Sequence, residues 1–303
     1  MKQKFTVLLL ILAMGVSSCD KEDNLTILQS NQVRLSKILQ YSNSTDFKLG
    51  GEIDYTYDNA GNMIKESFYD CHSTKILYTY KEYEYSGKKK IKEKIYDGEA
   101  GNLKLGSYTV YTYDGENLVK EENYRNDGLL FYSEIYEYDS ANNLIREYTD
   151  DPVYGILFDV KYSYDNQSRL ILEDYSAFGI NDAKYIKHIF DNSGREIKVE
   201  YYDINWNLIQ YSENIYDGNS KLSEKTVNYD KNGIKTAEYK HFYDKWGNLT
   251  ETTNQNGCSY FKRIYNGDVL IEEIKYWTWD TGFNDCSESG MSRYEYEKIQ
   301  RVD

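Results

Sequence analysis

The chain has 303 residues, a formal net charge of −14 and 40% hydrophobic residues, among which 34 are Tyr. Because Tyr carries a polar hydroxyl that needs water or a partner, the strictly apolar fraction is low and a thick core is not expected. The mean hydropathy is −0.77. The acidic charge argues against nucleic acid as a partner, and 16% aromatic residues are too many for a disordered chain.

Residues 1–18 have the pattern of a bacterial signal peptide. Lys2 and Lys4 precede an apolar run from Val7 to Val16, which is too short to span a bilayer. The run continues as Ser17-Ser18-Cys19 and resembles the lipobox of bacterial lipoproteins. That resemblance implies cleavage before Cys19 and lipidation of its thiol. An ordinary secretory signal followed by an unrelated Cys is the alternative.

Residues 19–33 are polar and have no strong period, which predicts a lipidated tether. The stretch Asp20-Lys21-Glu22-Asp23-Asn24 looks like the acidic tag that directs lipoproteins of Bacteroides-type bacteria to the outer face of the outer membrane. These features predict a lipid-anchored, surface-exposed protein of the outer membrane. A plain solvated tether is the alternative.

Residues 34–265 are predicted to form an array of nine β-hairpin repeats with a period of about 26 residues. A turn signature recurs at intervals of 22 to 28 residues. Its first residues are Asp58, Ser86, Asp114, Asp139, Asp165, Asp191, Asp217, Asp244 and Asn266. A weaker turn signal lies halfway through most intervals, which predicts about eighteen antiparallel strands. The single proline, Pro152, lies in a predicted loop, where it breaks no ladder bond.

The signature carries its own turn chemistry, clearest in Tyr55-Thr56-Tyr57-Asp58-Asn59-Ala60-Gly61-Asn62. Its Asp is expected to accept a hydrogen bond from the backbone two residues later. Gly61, or Asn142 in the same slot, supplies the left-handed residue. An aromatic residue precedes the turn in all nine copies. It is predicted to pack on the returning Leu and contribute about 0.2–1 kcal/mol. A ladder of ligand-binding rings is the alternative.

The two faces of the predicted sheet change composition near Ile189. Two residues before the turn, the first copies are polar, as at Thr56, whereas the later copies are apolar, as at Phe242. Three residues before the turn the trend is reversed, from Tyr55 to Arg263. Because side chains alternate between faces, we predict that the covered face changes near Ile189.

The predicted fold is all-β, an elongated antiparallel sheet of about nine tandem hairpins, open and twisted or partly curled, with no large globular core. An open sheet has two edges that need protection, which the irregular first and last segments could supply. Residues 266–303 depart from the repeat and are predicted to be a C-terminal cap, since terminal repeats are atypical.

The pattern Tyr-Asp-x-x-Gly-Asn/Arg-Leu resembles the YD repeats of Rhs proteins, teneurins and insecticidal toxin shells. It is also similar to small gut-bacterial, Bacteroides-type lipoproteins built from hairpin repeats. The resemblance covers about residues 50 to 270. In the large Rhs proteins such repeats form a shell around a toxin, but this chain is too short to enclose a cargo domain. The lipoprotein resemblance implies an extended hairpin sheet and a link to glycan use.

Candidate site residues are few. His72, His188 and His241 have no metal or triad spacing and are interpreted as solvated strand residues. No catalytic residue, metal site or cofactor is predicted. Cys258 and Cys286 are one repeat apart and could form a disulfide, which leaves Cys71 over.

Trp277 and Trp279 share one face of a predicted strand, with Tyr276 on the other, and could bind a ligand such as a sugar ring. Packing of these rings over the last hairpin is the alternative.

The sequence therefore predicts a non-enzymatic surface lipoprotein that acts as a binding or display scaffold. Its predicted partners are the outer membrane, through the lipid anchor, and a glycan or a surface protein. A purely structural spacer is one alternative. An Rhs-like shell remnant, associated with a toxin or a glycan-degrading system, is another.

Overall fold

The computed structural model describes residues 33–42, 48–175, 183–254, 259–266, 269–277 and 287–298. Within these ranges every regular element is a β-strand, and neighbouring strands such as β2 and β3 pair antiparallel. No helix of the described ranges has the length and apolarity needed to cross a membrane.

The described residues form twenty strands. Their bounds are β1 Val33–Ser42, β2 Leu49–Tyr57, β3 Met63–Asp70, β4 Ile76–Ser86, β5 Lys89–Glu99, β6 Asn102–Asp114, β7 Asn117–Arg125, β8 Leu130–Tyr138, β9 Leu144–Asp151, β10 Gly155–Tyr164, β11 Leu170–Tyr175, β12 Tyr185–Phe190, β13 Glu196–Tyr202, β14 Leu208–Tyr216, β15 Ser223–Asp230, β16 Lys235–Tyr243, β17 Leu249–Asn254, β18 Ser259–Asn266, β19 Val269–Trp277 and β20 Ser287–Lys298. The nine signature turns join eighteen strands, β2 to β19, and the number exceeds eighteen because β1 and β20 flank them.

The sheet is closed on itself, so the prediction of an open, elongated sheet is wrong. All twenty strands belong to one sheet. β1 pairs with β2 on one side and with the C-terminal β20 on the other, and β20 pairs in turn with β19. An open sheet would leave two rows of unpaired backbone N–H and C=O groups, which the pairing of β1 with β20 satisfies.

The turns of the signature have the predicted chemistry and one contact more. In the turn after β10, the Asp165 carboxylate accepts hydrogen bonds from the backbone N–H of Gln167 at 2.8 Å and of Arg169 at 3.0 Å. The Arg169 Nε donates to the other carboxylate oxygen at 2.6 Å. The hydrogen bond from the residue two positions after the Asp was predicted. The hydrogen bonds from the residue four positions after it, here Arg169, were not.

The left-handed slot of these turns is occupied as predicted at Gly61, with φ of 77°, and at Asn142, with φ of 61°. Trp206 occupies the corresponding slot of the turn between β13 and β14 at φ of 61°. A bulky aromatic residue rarely adopts this conformation.

The aromatic residue before the turn connects neighbouring hairpins. The Tyr164 hydroxyl donates to the carbonyl of Leu144 at 2.7 Å, and the Tyr216 hydroxyl donates to the carbonyl of Glu196 at 2.8 Å. Tyr113 makes the same kind of bond to the carbonyl of Lys90 at 2.9 Å. Each ring therefore fixes its own hairpin to an earlier one, a role that goes beyond the predicted packing within one hairpin tip.

The same face of the sheet stays exposed along the chain, so the predicted change of covered face near Ile189 is wrong. Thr56 and Glu137 are exposed in the earlier copies, and Ile215 and Phe242 are exposed in the later ones. On the other face, polar residues are half-buried because they have partners. One example is Arg263, whose Nε lies 2.7 Å from the Glu273 carboxylate.

The chain divides into two units, each with a small buried cluster. In the unit of residues 81–97 and 104–238, the cluster consists of Val160, Tyr175 and Ile186. In the unit that contains residues up to 80, 98–103 and 239–303, it consists of Val33, Leu35 and Val269.

Candidate functional site

Most of the sequence-predicted site residues lie outside the described residues. These are Cys19, Cys258, Cys286 and Trp279. Tyr276 and Trp277 belong to β19, where their backbones pair with Glu288 and Ser287, but their side chains lie outside the description. Lipidation, the disulfide and the aromatic site near β19 therefore stay predictions.

His188 differs from its interpretation as a solvated strand residue. Its side chain is 14% exposed and lies between two carboxylates, 2.9 Å from Glu173 and 3.0 Å from Glu196. Burial opposes protonation, but the hydrogen bonds that the ring donates to both carboxylates prevail and raise the pKa of His188 to about 9. His188 is therefore an internal cation. Among the described residues no group of three or more His, Cys, Asp or Glu side chains is arranged to hold a metal ion.

A concave site lies at the end of the sheet where β1 ends, β2 begins and β3 turns into β4. It is open to solvent and has a volume of about 470 Å³. Its lining residues are Gln40, Tyr41, Gly50, Gly51, Tyr69, Asp70, His72 and Tyr78, and we refer to it as the glycine-floored cavity. All of these residues belong to one unit of the chain.

Two glycines keep this cavity open. Gly51 pairs with Gln40 across β1 and β2, at the point where the register shifts between Gln40 and Tyr41. A Cβ atom on Gly51 would lie 2.8 Å from the Gln40 Oε1, and one on Gly50 would lie 3.4 Å from the His72 ring. Glycine within a strand marks close approach of a neighbouring group, and here its missing side chains leave room for a ligand.

Polar groups of the cavity are held by the turn between β3 and β4. The Asp70 carboxylate accepts a hydrogen bond from the His72 backbone N–H at 2.9 Å and lies 2.8 Å from the His72 Nδ1. Both bonds lower the pKa of Asp70, and the bond from the backbone N–H has the larger effect. Asp70 is therefore a carboxylate at neutral pH. The Cys71 backbone N–H donates to the Gly50 carbonyl at 3.0 Å and fixes the turn to β2.

Charged side chains lie beside the cavity, and one of them contacts Tyr69. The buried Glu52 accepts contacts from the Lys37 Nζ at 2.6 Å and the Lys75 Nζ at 2.5 Å. Burial works against ionisation of Glu52, but the hydrogen bonds from Lys37 and Lys75 prevail and lower its pKa. Lys75 in turn lies 4.0 Å from the centre of the Tyr69 ring. The two lysines thus compensate Glu52 while one of them supports an aromatic wall of the cavity.

The cavity offers aromatic surface and hydrogen-bonding groups together. Tyr78 is 48% exposed, and its ring lies 6.5 Å from that of Phe68. Tyr41 and Tyr69 add two further rings, while Gln40 and Asp70 supply an amide and a carboxylate. Such a site can stack on a ligand and accept hydrogen bonds from its hydroxyl groups.

A second, smaller cavity of about 150 Å³ belongs to the other unit. Its lining residues are Glu134, Tyr136, Glu147, Tyr148, Thr149 and Phe158. The Tyr136 hydroxyl lies 2.9 Å from Glu134 and 3.2 Å from Glu121, which face each other across β7 and β8. Burial, together with the Glu134 charge, raises the pKa of Glu121. Because both carboxylates contact the Tyr136 hydroxyl, the three side chains form a hydrogen-bonded network within the protein.

No protein-family model and no curated protein matches the sequence. Among solved structures, the chain is similar to one titled as the crystal structure of TcdB2-TccC3-Cdc42, with 16% identity and a TM-score of 0.46. That similarity covers 77% of this chain but only 13% of the other.

Two porin-like proteins of Bacteroides are also similar to the chain. For the protein of Bacteroides uniformis the identity is 10% and the TM-score 0.39, with 87% of this chain and 96% of the other covered. For that of Bacteroides vulgatus the identity is 10% and the TM-score 0.26, with 87% and 98% covered. TM-scores below 0.5 establish neither a common fold nor a common activity.

Sequence reasoning missed the glycine-floored cavity, although one signal for it was present. Gly50-Gly51 is the only pair of adjacent glycines in the chain, and it lies in a strand rather than in a turn. Glycine in a strand interior indicates a bulge or a close approach. The partners that face this pair come from three other strands and from the turn after β3, and no local pattern specifies them.

Proposed function

We propose that this protein is a non-enzymatic, lipid-anchored surface scaffold that binds a carbohydrate in the glycine-floored cavity. The observation that carries the proposal is the combination of Tyr41, Tyr69 and Tyr78 with Gln40 and Asp70 around a glycine floor. A pyranose ring presents apolar C–H faces and a rim of hydroxyls. Aromatic rings complement the faces, and an amide and a carboxylate complement the rim.

The position of the cavity supports a role in display. β1 begins at Val33, directly after the predicted tether, and the cavity lies around Gln40 near the other end of this strand. At about 3.3 Å per residue, the two points are about 23 Å apart. If the chain is anchored through Cys19, the cavity therefore lies near the end of β1 that is farther from the tether.

The chemistry around the cavity favours binding over catalysis. Asp70 is engaged by the turn that holds it, through His72. The Cys71 thiol has its pKa raised by burial, which disfavours the reactive thiolate. Neither group is thus activated for attack on a substrate.

The test is a glycan array probed with the purified soluble chain from residue 20 onwards. We expect binding to at least one polysaccharide, weakened about tenfold or more by Tyr69→Ala, which removes one aromatic wall. Gly51→Ala should weaken it as well, because the new methyl group would lie 2.8 Å from the Gln40 Oε1 and displace an amide that lines the cavity.

The matched control is Tyr124→Ala, which removes a stacked tyrosine from the other unit, 4.9 Å from Tyr108. It should leave binding unchanged. If the unmodified chain bound no polysaccharide, the carbohydrate proposal would be lost and a structural spacer would be favoured.

A further inference from the structure

A second aromatic surface lies on the turn between β13 and β14, in the unit that does not contain the glycine-floored cavity. The Trp206 ring stacks on Tyr185 with ring centres 4.0 Å apart and planes 10° apart. It also contacts Tyr202, at 5.6 Å and 51°. Trp206 nevertheless remains 50% exposed. One face of the indole is therefore covered and its orientation fixed, while the rest of the ring faces solvent.

The turn holds this ring rigidly. The Asp203 carboxylate accepts hydrogen bonds from the backbone N–H groups of Asn205 and Asn207, both at 2.8 Å. The Asn207 side-chain amide donates to the same carboxylate at 2.9 Å. The backbone N–H of Trp206 donates to the Asp203 carbonyl at 3.0 Å. A ring that is already ordered loses little conformational entropy when a ligand stacks on it.

Trp206 occupies a slot that favours glycine. The equivalent residues of other turns include Gly194 and Gly233, with φ of 79° and 80°, and Trp206 adopts 61°. A bulky residue in this conformation is strained, and such strain persists where the surroundings enforce it, often at ligand-binding positions. Glycine would adopt this φ without that strain.

We infer that Trp206, supported by Tyr185, is a second carbohydrate contact that stacks on a sugar ring at the protein surface. The exposed Asn205 beside it supplies an amide for the sugar hydroxyls. An aromatic ring flanked by amides suits a neutral sugar ring better than an aliphatic chain, because it matches both the C–H face and the hydroxyl rim. This contact goes beyond the proposed function, since it does not depend on ligand binding in the cavity.

The experiment is affinity electrophoresis of the soluble chain in native gels that contain starch, xylan, mannan or mixed-linkage glucan. We expect Trp206→Gly to weaken retardation by the bound polysaccharide about tenfold. Glycine relieves the strained φ but also removes the stacking on Tyr185, so the melting temperature of the same variant is measured beside the retardation. Trp206→Phe keeps a stacking ring and should retain part of the binding.

The control is Trp246→Ala. Trp246 is also half-exposed in a turn, where Lys245 lies 4.3 Å from its ring, but no ring stacking involves it in the described part of the chain. Its removal should not change retardation. If Trp206→Gly kept full binding to every polysaccharide that the unmodified chain binds, the inference would be overturned, and a lower melting temperature would then assign Trp206 to packing.

The two sites are distinguished by testing Tyr69→Ala and Trp206→Gly on the same gels. Loss of binding only in Tyr69→Ala supports the cavity and overturns the Trp206 contact. Loss only in Trp206→Gly supports the Trp206 contact and removes the cavity from the proposed function. An unmodified chain that none of the four polysaccharides retards overturns the Trp206 contact.

Discussion

At the scale of single residues, polar side chains replace much of the missing apolar core. Tyrosine hydroxyls contact glutamates on the less exposed face, as in the pair of Tyr162 with Glu147 at 2.7 Å. Burial and the neighbouring carboxylates raise the pKa of these tyrosines, as seen for Tyr175 and Tyr162, so they act as neutral donors at physiological pH. A half-buried polar group is tolerated when it has such a partner.

His188 gives a prediction at this scale. Its pKa is raised from 6.5 in the unfolded chain to about 9 in the fold, so the folded state holds a proton that the unfolded state loses. Its contribution to stability is complete below about pH 6.5 and is lost as the pH rises through about 9. We expect this loss to reach about 2–3 kcal/mol.

The measurement is urea unfolding of the unmodified chain and of His188→Gln at pH 6 and pH 9.5. The unmodified chain should lose more stability between the two pH values than the variant does. An equal pH dependence in the two proteins would show that His188 does not carry this contribution.

At the scale of elements, the hairpin is the unit that the sequence specifies best. The Asp and Gly of each signature act within a few residues of each other, and Gly61 and Asp165 behave as predicted. The link between hairpins was not predicted, because Tyr164 and its acceptor Leu144 are twenty residues apart and belong to different turns. A pattern that repeats every 26 residues or so cannot show which neighbour each copy contacts.

The link between hairpins can be tested with Tyr164→Phe. The ring remains but the hydroxyl that donates to the Leu144 carbonyl is removed, which should cost about 1 kcal/mol of unfolding free energy. Phe190 in the same slot shows that the position accepts a ring without a hydroxyl. Chemical denaturation measures the change, and Tyr154→Phe, at an exposed tyrosine, should have no effect.

At the scale of the whole molecule, closure of the sheet was the feature that local patterns could not provide. Hairpins of this period are compatible with an open or a closed sheet, and the choice depends on the pairing of β1 with β20. In that ladder Leu39 stands opposite Arg293, more than 250 residues later. The glycine-floored cavity is non-local in the same way, since it joins Gln40 to Tyr78.

Removal of β20 tests the closure. A chain that stops at residue 286 would leave β1 and β19 with unpaired backbone edges, which favour association between molecules. We expect it to form dimers or larger aggregates in size-exclusion chromatography at concentrations where the complete chain is monodisperse. A truncated chain with the same elution behaviour and melting temperature would show that the β1–β20 ladder is dispensable.

The β1–β20 ladder also has a topological consequence. Val33, at the start of β1, stands opposite Lys298, at the end of β20, so the first and last strands leave the sheet side by side and at the same end. In the order of strand pairing, the sheet is therefore a cycle with no outermost member.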